Sequence, residues 1–165
     1  MDQMTPTMSI PQIAEATGID AERLRYVIDQ KLLPGQTDSS SSGRGTARQF
    51  SIFSAFGLAC AALMISAGMR RSTVMKCMEL LCSANGEFRP PISDIPLIKA
   101  FKKRSVAMLE IGDKVNIRMY GSEDYRKRKL DYAWRQVATG ANLANYEPMV
   151  VIGINVGRLR KCFEP

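Results

Sequence analysis

The chain has 165 residues, 45% hydrophobic and 24% charged, a composition typical of a folded protein with one domain or two small ones. There are 23 Lys+Arg against 16 Asp+Glu, and the resulting net charge of +7 favours a polyanionic partner. The chain contains no histidine, which excludes Ser-His and Cys-His nucleophilic catalysis and every histidine metal site. We therefore predict a protein that is not an enzyme and that uses neither a metal nor a cofactor.

Four cysteines are present, at positions 60, 77, 82 and 162, and none of them forms the Cys-x-x-Cys pair with which zinc sites usually begin. We expect them to be buried, reduced thiols. The first residues show no basic segment of a secretory signal, so a cytoplasmic location is expected.

The first part of the chain predicts two short helices. Residues 1–8 are expected to be a disordered lead. Ser9 opens a capping box, and the helix that follows it ends at Gly18. Asp20 is the next N-cap, and apolar spacing predicts a second helix over Ala21–Ile28. A short turn containing glycine joins the two helices, as in a helix-turn-helix whose second helix can enter a major groove.

A polar loop rich in glycine and serine follows over residues 35–48. Its composition is typical of a linker between domains. The apolar segments on either side are, however, too short to bury a core alone. We therefore interpret the loop as a flexible wing that carries Arg44 and Arg48 to a phosphate backbone.

The residues between Arg48 and Arg70 carry no charge and must be weighed as a membrane span. Polar and small residues interrupt the segment, so we predict a buried helix over Ile52–Ala67 that Ser51 caps, and no membrane partner. A fourth helix is predicted over Thr73–Cys82. Asparagine-glycine and a proline pair then mark a domain boundary after residue 85.

The second half of the chain has strand patterns. A helix with a basic end is predicted first. We interpret its cations as a solvated face beside the helix C-terminus, where positive charge suits the helix dipole. Three β-rich runs follow, and Gly112-Asp113-Lys114 predicts a short hairpin turn between the first two. A mixed helix and loop segment precedes the third run. The predicted elements are the helix Asp94–Arg104, the strands Val106–Ile111, Val115–Met119 and Met149–Val156, and the mixed segment Gly121–Tyr146.

The predicted fold class is therefore α+β. A mostly helical winged helix-turn-helix domain at residues 9–85 precedes a small antiparallel β-sheet domain with one or two helices at residues 94–165.

Residues 9–82 resemble the DNA-binding domain of the MerR family of winged helix-turn-helix regulators. The matching stretches keep the family's order and spacing: Ser9–Ile19, Leu24–Tyr26, Leu32–Pro34, Arg48–Phe50 and Ala67–Arg71. Val27 departs from the family, which often has an aromatic there, and Lys31 stands where glycine is usual. The family's long dimerisation helix and its metal-sensing cysteine loop have no counterpart, so the resemblance does not imply metal or drug sensing.

The resemblance implies that residues 21–30 form the recognition helix and residues 35–49 the wing. Basic, aromatic and hydroxyl side chains of these elements and of the turn before the fourth helix would then contact DNA. The implied DNA-binding residues are Thr17, Arg23, Arg25, Tyr26, Lys31, Arg44, Arg48, Arg70 and Arg71.

The predicted function is sequence-specific binding of double-stranded DNA by a transcriptional regulator. We expect a homodimer that pairs through the sheet of residues 106–156, because one head alone buries little DNA surface. One alternative is an architectural DNA-binding protein of the excisionase type. Another is a protein-interaction module built on the same head, because residues 1–48 hold five Lys/Arg against six Asp/Glu.

Overall fold

A computed structural model describes residues 6–35, 48–83, 95–104, 106–113, 115–121, 134–136, 141–143 and 145–164. Within these ranges the helices are α1 (Ile10–Thr17), α2 (Ala21–Asp29), α3 (Ile52–Ser66), α4 (Arg71–Leu81), α5 (Pro96–Lys102) and α6 (Val156–Lys161). The strands are β1 (Thr7–Ser9), β2 (Gln49–Ser51), β3 (Val106–Gly112), β4 (Ile117–Gly121), β5 (Trp134–Gln136), β6 (Ala141–Leu143) and β7 (Val151–Ile154).

The ends of α1 and α2 follow the local capping signals. The Ser9 N–H and hydroxyl both donate to Gln12 Oε1, at 2.8 and 2.9 Å. Gly18 ends α1 at φ +71°, a left-handed conformation that suits glycine. Asp20 Oδ1 accepts the Glu22 N–H at 2.9 Å and so begins α2.

The predicted disordered lead over residues 1–8 is wrong at its end. Thr7–Ser9 forms β1, which pairs antiparallel with β2 and places Met8 opposite Phe50. Phe50 is buried, and Met8 is a half-buried side chain that packs on the same core. The partner strand lies some forty residues along the chain, so no local pattern indicates this pairing.

Helix α3 is the centre of the fold. Ser51 Oγ accepts the Ser54 N–H at 3.1 Å, and Gly68, at φ +84°, follows the helix end. Most of α3 is buried because helices from both halves of the chain pack around it. The uncharged segment is thus a buried helix, as predicted. None of the helices in the described ranges is both long and apolar enough to cross a membrane.

The larger sheet has the strand order β6-β5-β4-β3-β7, with every neighbouring pair antiparallel. The predicted hairpin between β3 and β4 is confirmed, but β4 begins at Ile117. Val115 instead lies in the turn at φ +57°, where its N–H donates to Gly112 O at 3.0 Å.

Three further boundaries differ from the sequence predictions. Helix α5 begins at Pro96, in the first helical position that proline favours, and it ends before the extended Lys103. The predicted third strand is shorter because Asn155 Oδ1 accepts the Arg158 N–H at 2.8 Å and begins α6, a helix that was not predicted. Within the predicted mixed segment 121–146, the structure describes two short strands, β5 and β6.

Residues from both halves form one hydrophobic core. The Phe56 ring centroid, in α3, lies 5.1 Å from that of Phe101 and 5.9 Å from that of Phe163. Gly57 gives room for close approach, because a Cβ there would lie 2.9 Å from Leu33 Cδ1 and 3.3 Å from Leu97 Cδ2. The α+β class with small antiparallel sheets is confirmed. The predicted domain boundary lies in residues 84–94, outside the described residues.

Candidate nucleic-acid interface

The outward face of α2 is the first candidate surface. Leu24 and Val27 are buried, so the residues on the opposite side of α2 face solvent. These exposed residues are Glu22, Arg25, Tyr26 and Asp29. Tyr26 keeps 41% of its surface accessible. The face therefore presents one cation, one aromatic ring and two carboxylates.

Arg23 takes a different position from Arg25. Its Nη1 donates to Ser66 Oγ at 2.6 Å, and the Ser66 hydroxyl donates to Ala62 O at 2.8 Å. This pair of bonds joins the first turn of α2 to the last turn of α3. Arg23 thus links the two helices. The guanidinium N–H groups that do not bond to Ser66 are the ones left to contact a ligand.

Thr17 is the last residue of α1, and its hydroxyl stabilises the turn that follows. Its hydroxyl donates to Ile13 O at 2.6 Å and accepts the Ile19 N–H at 3.3 Å. A threonine hydroxyl has one proton, so Thr17 donates to a phosphate only by releasing Ile13 O.

Lys31 ends α2 in an unusual conformation. The Lys31 N–H donates to Ile28 O and the Leu32 N–H to Val27 O, at 2.9 and 3.0 Å, the two bonds of a Schellman motif. The left-handed position in this motif usually holds glycine, as Gly68 does after α3, but here lysine occupies it at φ +52°. Its side chain is exposed.

Arg48 precedes β2, at the base of the predicted wing. It is half-buried, and its guanidinium carbon lies 5.4 Å from the Phe50 ring centroid, within cation–π range. Arg44 lies outside the described residues, as do residues 36–47 of the wing.

Arg70 and Arg71 lie at the start of α4, and both are exposed. Arg70 is the N-cap residue and makes no side-chain capping bond, although its carbonyl accepts the Thr73 and Val74 N–H groups at 2.9 and 3.0 Å. A helix N-terminus with two arginines is electrostatically suited to an anion.

Several of the predicted cations lie toward one end of α3 or the other. Arg23 touches Ser66, and the Arg70–Arg71 pair follows only four residues later. In the other direction, Leu33, two residues after Lys31, packs near Gly57 in the second turn of α3, and Arg48 precedes that helix by four residues. The 15 residues of α3 separate the two ends by about 22 Å. Cations thus flank α2 at both ends.

The cysteines are free thiols, as predicted, but only Cys60 and Cys77 are fully buried, whereas Cys82 and Cys162 are half-buried. Burial raises the pKa of Cys60 and raises those of Cys77 and Cys82 to about 12, so all three stay protonated at neutral pH. Across the described ranges, no group of three or more His, Cys, Asp or Glu side chains is placed to hold a metal ion.

Two surface features were not among the predicted site residues. Met149, Val150 and Val151 form an exposed apolar run that leads into the edge strand β7. The end of α5 and the helix α6 bring together exposed lysines and arginines. The basic end of α5 was visible in the sequence. Because α6 was not predicted, no second group of cations was expected beside it.

Comparisons with protein-family models, curated proteins and solved structures find no match to this chain.

Proposed function

We propose that this protein is a sequence-specific double-stranded DNA-binding protein that acts as a transcriptional regulator, with residues 9–85 as a winged helix-turn-helix head of the MerR type. The observation that carries the proposal is the solvent-exposed face of α2 with cations at both of its ends. The short turn at Gly18 and the β1–β2 pair beside α3 are consistent with such a head.

Each group has a role that follows from its chemistry. Arg25 is the best-placed side chain to donate two hydrogen bonds to a guanine edge, and Glu22 and Asp29 can accept from cytosine. Lys31 and Arg48 at one end of α2, and the Arg70–Arg71 pair at the other, would hold phosphates. Arg23 would act mainly by fixing the angle at which α2 is presented.

We also propose that two chains pair through the C-terminal sheet. The edge strand β7 is preceded by Met149, 93% exposed, and Val150, 59% exposed, and its first residue Val151 is 44% exposed. An exposed edge with an apolar run favours antiparallel pairing with a second copy. We expect a dimer mass by light scattering and a monomer for Val150→Lys. A monomeric wild-type protein at micromolar concentration would contradict this arrangement.

The proposal is tested by fluorescence anisotropy with random and genome-selected duplexes at two salt concentrations. We expect salt-sensitive binding with a preferred sequence. Arg25→Ala should weaken binding to the preferred sequence by about 1–3 kcal/mol and relax its selectivity. Arg23→Ala should weaken the same binding by a similar amount, because it releases α2 from Ser66. Arg48→Ala should weaken binding to all sequences about equally and lower the salt slope by about one unit.

A protein-interaction module is the second candidate function. Glu22 and Asp29 on the outward face of α2 would oppose phosphate, which favours a protein partner over DNA. The anisotropy experiment separates the two candidates. A folded wild-type protein that binds no duplex at low salt would refute the DNA-binding proposal and favour the interaction module.

A further inference from the structure

The positive charge of the protein is concentrated away from the head. Residues 95–104 and 155–164 contain seven Lys/Arg against one Glu. Five of these cations have exposed side chains on the end of α5 and on α6, and together they are called here the α5–α6 basic surface. They are Lys102, Lys103, Arg104, Arg158 and Lys161.

Arg160 holds the two parts of this surface together. It is only 7% exposed, and its Nη1 donates to the carbonyls of Ala100, Lys103 and Val106 at 3.0, 2.9 and 3.2 Å. Its Nη2 donates to Arg104 O at 3.3 Å. A buried guanidinium thus satisfies the carbonyls at and after the C-terminus of α5, and it attaches α6 to that end.

Helix capping therefore does not account for the exposed cations. The carbonyl end of α5 already has a cation in Arg160, which complements the helix dipole. Glu164 forms ion pairs with two arginines, since its Oε1 lies 3.6 Å from Arg160 Nε and 3.8 Å from Arg104 Nε. In the part of the chain that the structure describes, no carboxylate pairs with Lys102, Lys103, Arg158 or Lys161. Their mutual repulsion is a cost that a polyanion would relieve.

The basic surface lies near the wing end of the head. Phe101, in the last turn of α5, has its ring centroid 6.2 Å from that of Phe53 in the first turn of α3. Phe53 is five residues after Arg48, a distance along the chain of at most about 18 Å. Both lengths are shorter than one turn of a DNA duplex, about 34 Å. The end of α5 and Arg48 are thus closer together than one turn of a duplex is long.

We propose that the α5–α6 basic surface binds the phosphate backbone of the same DNA duplex, beside the sequence that the head reads. This proposal rests on the proposed function of the head and extends it. The surface supplies affinity and salt dependence that are independent of the DNA sequence, because its exposed lysines neutralise phosphates without reaching base edges. It thereby compensates for a head in which acidic and basic residues nearly balance.

The test uses the full chain with Lys102→Gln, Lys103→Gln and Lys161→Gln combined, titrated by anisotropy against a selected and a random duplex over a range of salt. We expect affinity for both duplexes to fall by the same factor, at least about tenfold at low salt, and the salt slope to drop by about two to three units. The selectivity ratio should not change. Circular dichroism should show an intact fold, because all three side chains are exposed.

A matched pair of single variants controls for net charge. Lys103→Gln and Lys76→Gln each remove one exposed cation, the second from α4 outside both proposed surfaces. Only Lys103→Gln should lower the salt slope. Equal effects from the two variants would mean that overall charge acts, and would overturn the proposal.

The outcomes separate this surface from the head. If the triple variant keeps the wild-type salt slope and Arg48→Ala lowers it, the proposal for the basic surface is overturned and that for the head is supported. Wild-type binding without sequence preference, lost in the triple variant, supports the surface and refutes the reading head. A wild-type protein that binds no duplex at low salt overturns both, as would tighter binding to RNA or to anionic vesicles that duplex DNA does not compete away.

Discussion

Residues 6–83 and residues 95–164 differ in secondary structure and in charge. The first region provides the helices with exposed faces, yet residues 6–83 hold only eight Lys/Arg against six Asp/Glu. The second region provides the five-stranded sheet, and two short segments of it hold seven Lys/Arg against one Glu. The comparison teaches that, under the proposed function, the helix that would read DNA and the densest exposed positive charge lie in different regions. The rings of Phe56, Phe101 and Phe163 join these regions in one core.

The largest expected effect tests whether the two regions fold as one. Phe56→Ala removes a fully buried ring between α3 and the second region, and should lower the free energy of unfolding by about 3–5 kcal/mol. Urea unfolding followed by circular dichroism and by Trp134 fluorescence should give coincident transitions for wild type and variant. Two separate transitions would show that the regions are independent domains.

The next effect concerns the inside of the second region. Arg160→Met leaves the carbonyls of Ala100, Lys103 and Val106 without their cation, and should lower the free energy of unfolding by about 2–3 kcal/mol. Arg158→Met, an exposed change on the same helix, is the control and should stay within about 0.5 kcal/mol of wild type. Equal losses would contradict the role given to Arg160.

As the pH rises, the loss of stability should begin with a thiol of the first region, Cys77, and only later involve Tyr120 of the second. Burial raises the pKa of Cys77 to about 12 from an ordinary value of 9.0, so the unfolded chain releases that proton first and stability falls between these pH values. Burial and the Glu110 bond raise the pKa of Tyr120 to about 12, but its loss begins only above its ordinary value of 10.0.

The measurement is urea unfolding under reducing conditions at pH 7 and pH 10. A thiol with an unfolded pKa near 9 contributes a loss of about 1.4 kcal/mol at pH 10. The Cys77→Ala variant should therefore lose about that much less than wild type between the two pH values. An identical loss would show that the Cys77 thiol does not titrate differently on unfolding.

The smallest effect separates stability from binding within the head. Lys31→Gly relieves the left-handed backbone at φ +52° and should raise the free energy of unfolding by about 1 kcal/mol. It should also weaken binding to random and selected duplexes alike, because it removes a proposed phosphate contact. Lys76→Gly, inside α4, is the control and should lower stability by about 1 kcal/mol. Unchanged affinity in Lys31→Gly would remove Lys31 from the interface.

Local chemistry made much of this protein predictable. The caps at Ser9, Asp20 and Ser51 and the stops at Gly18 and Gly68 act within a few residues, so the sequence indicates α1, α2 and α3 closely. The β3–β4 hairpin was predictable for the same reason, since its turn and its alternation are both local. The exposure of Arg25 and Tyr26 followed from the helical period of α2.

Contacts between distant parts of the chain decided the remainder. The pairing of β1 with β2, the bond from Arg23 to Ser66 and the attachment of α6 by Arg160 each join residues some forty or more positions apart. Such contacts leave no periodic signal, because the free energy that stabilises them comes from burial and hydrogen bonding in the assembled core. Sequence patterns therefore indicated which residues of α2 are exposed. Only packing around α3 decided that Arg23 bonds to another helix and that α6 lies against the end of α5.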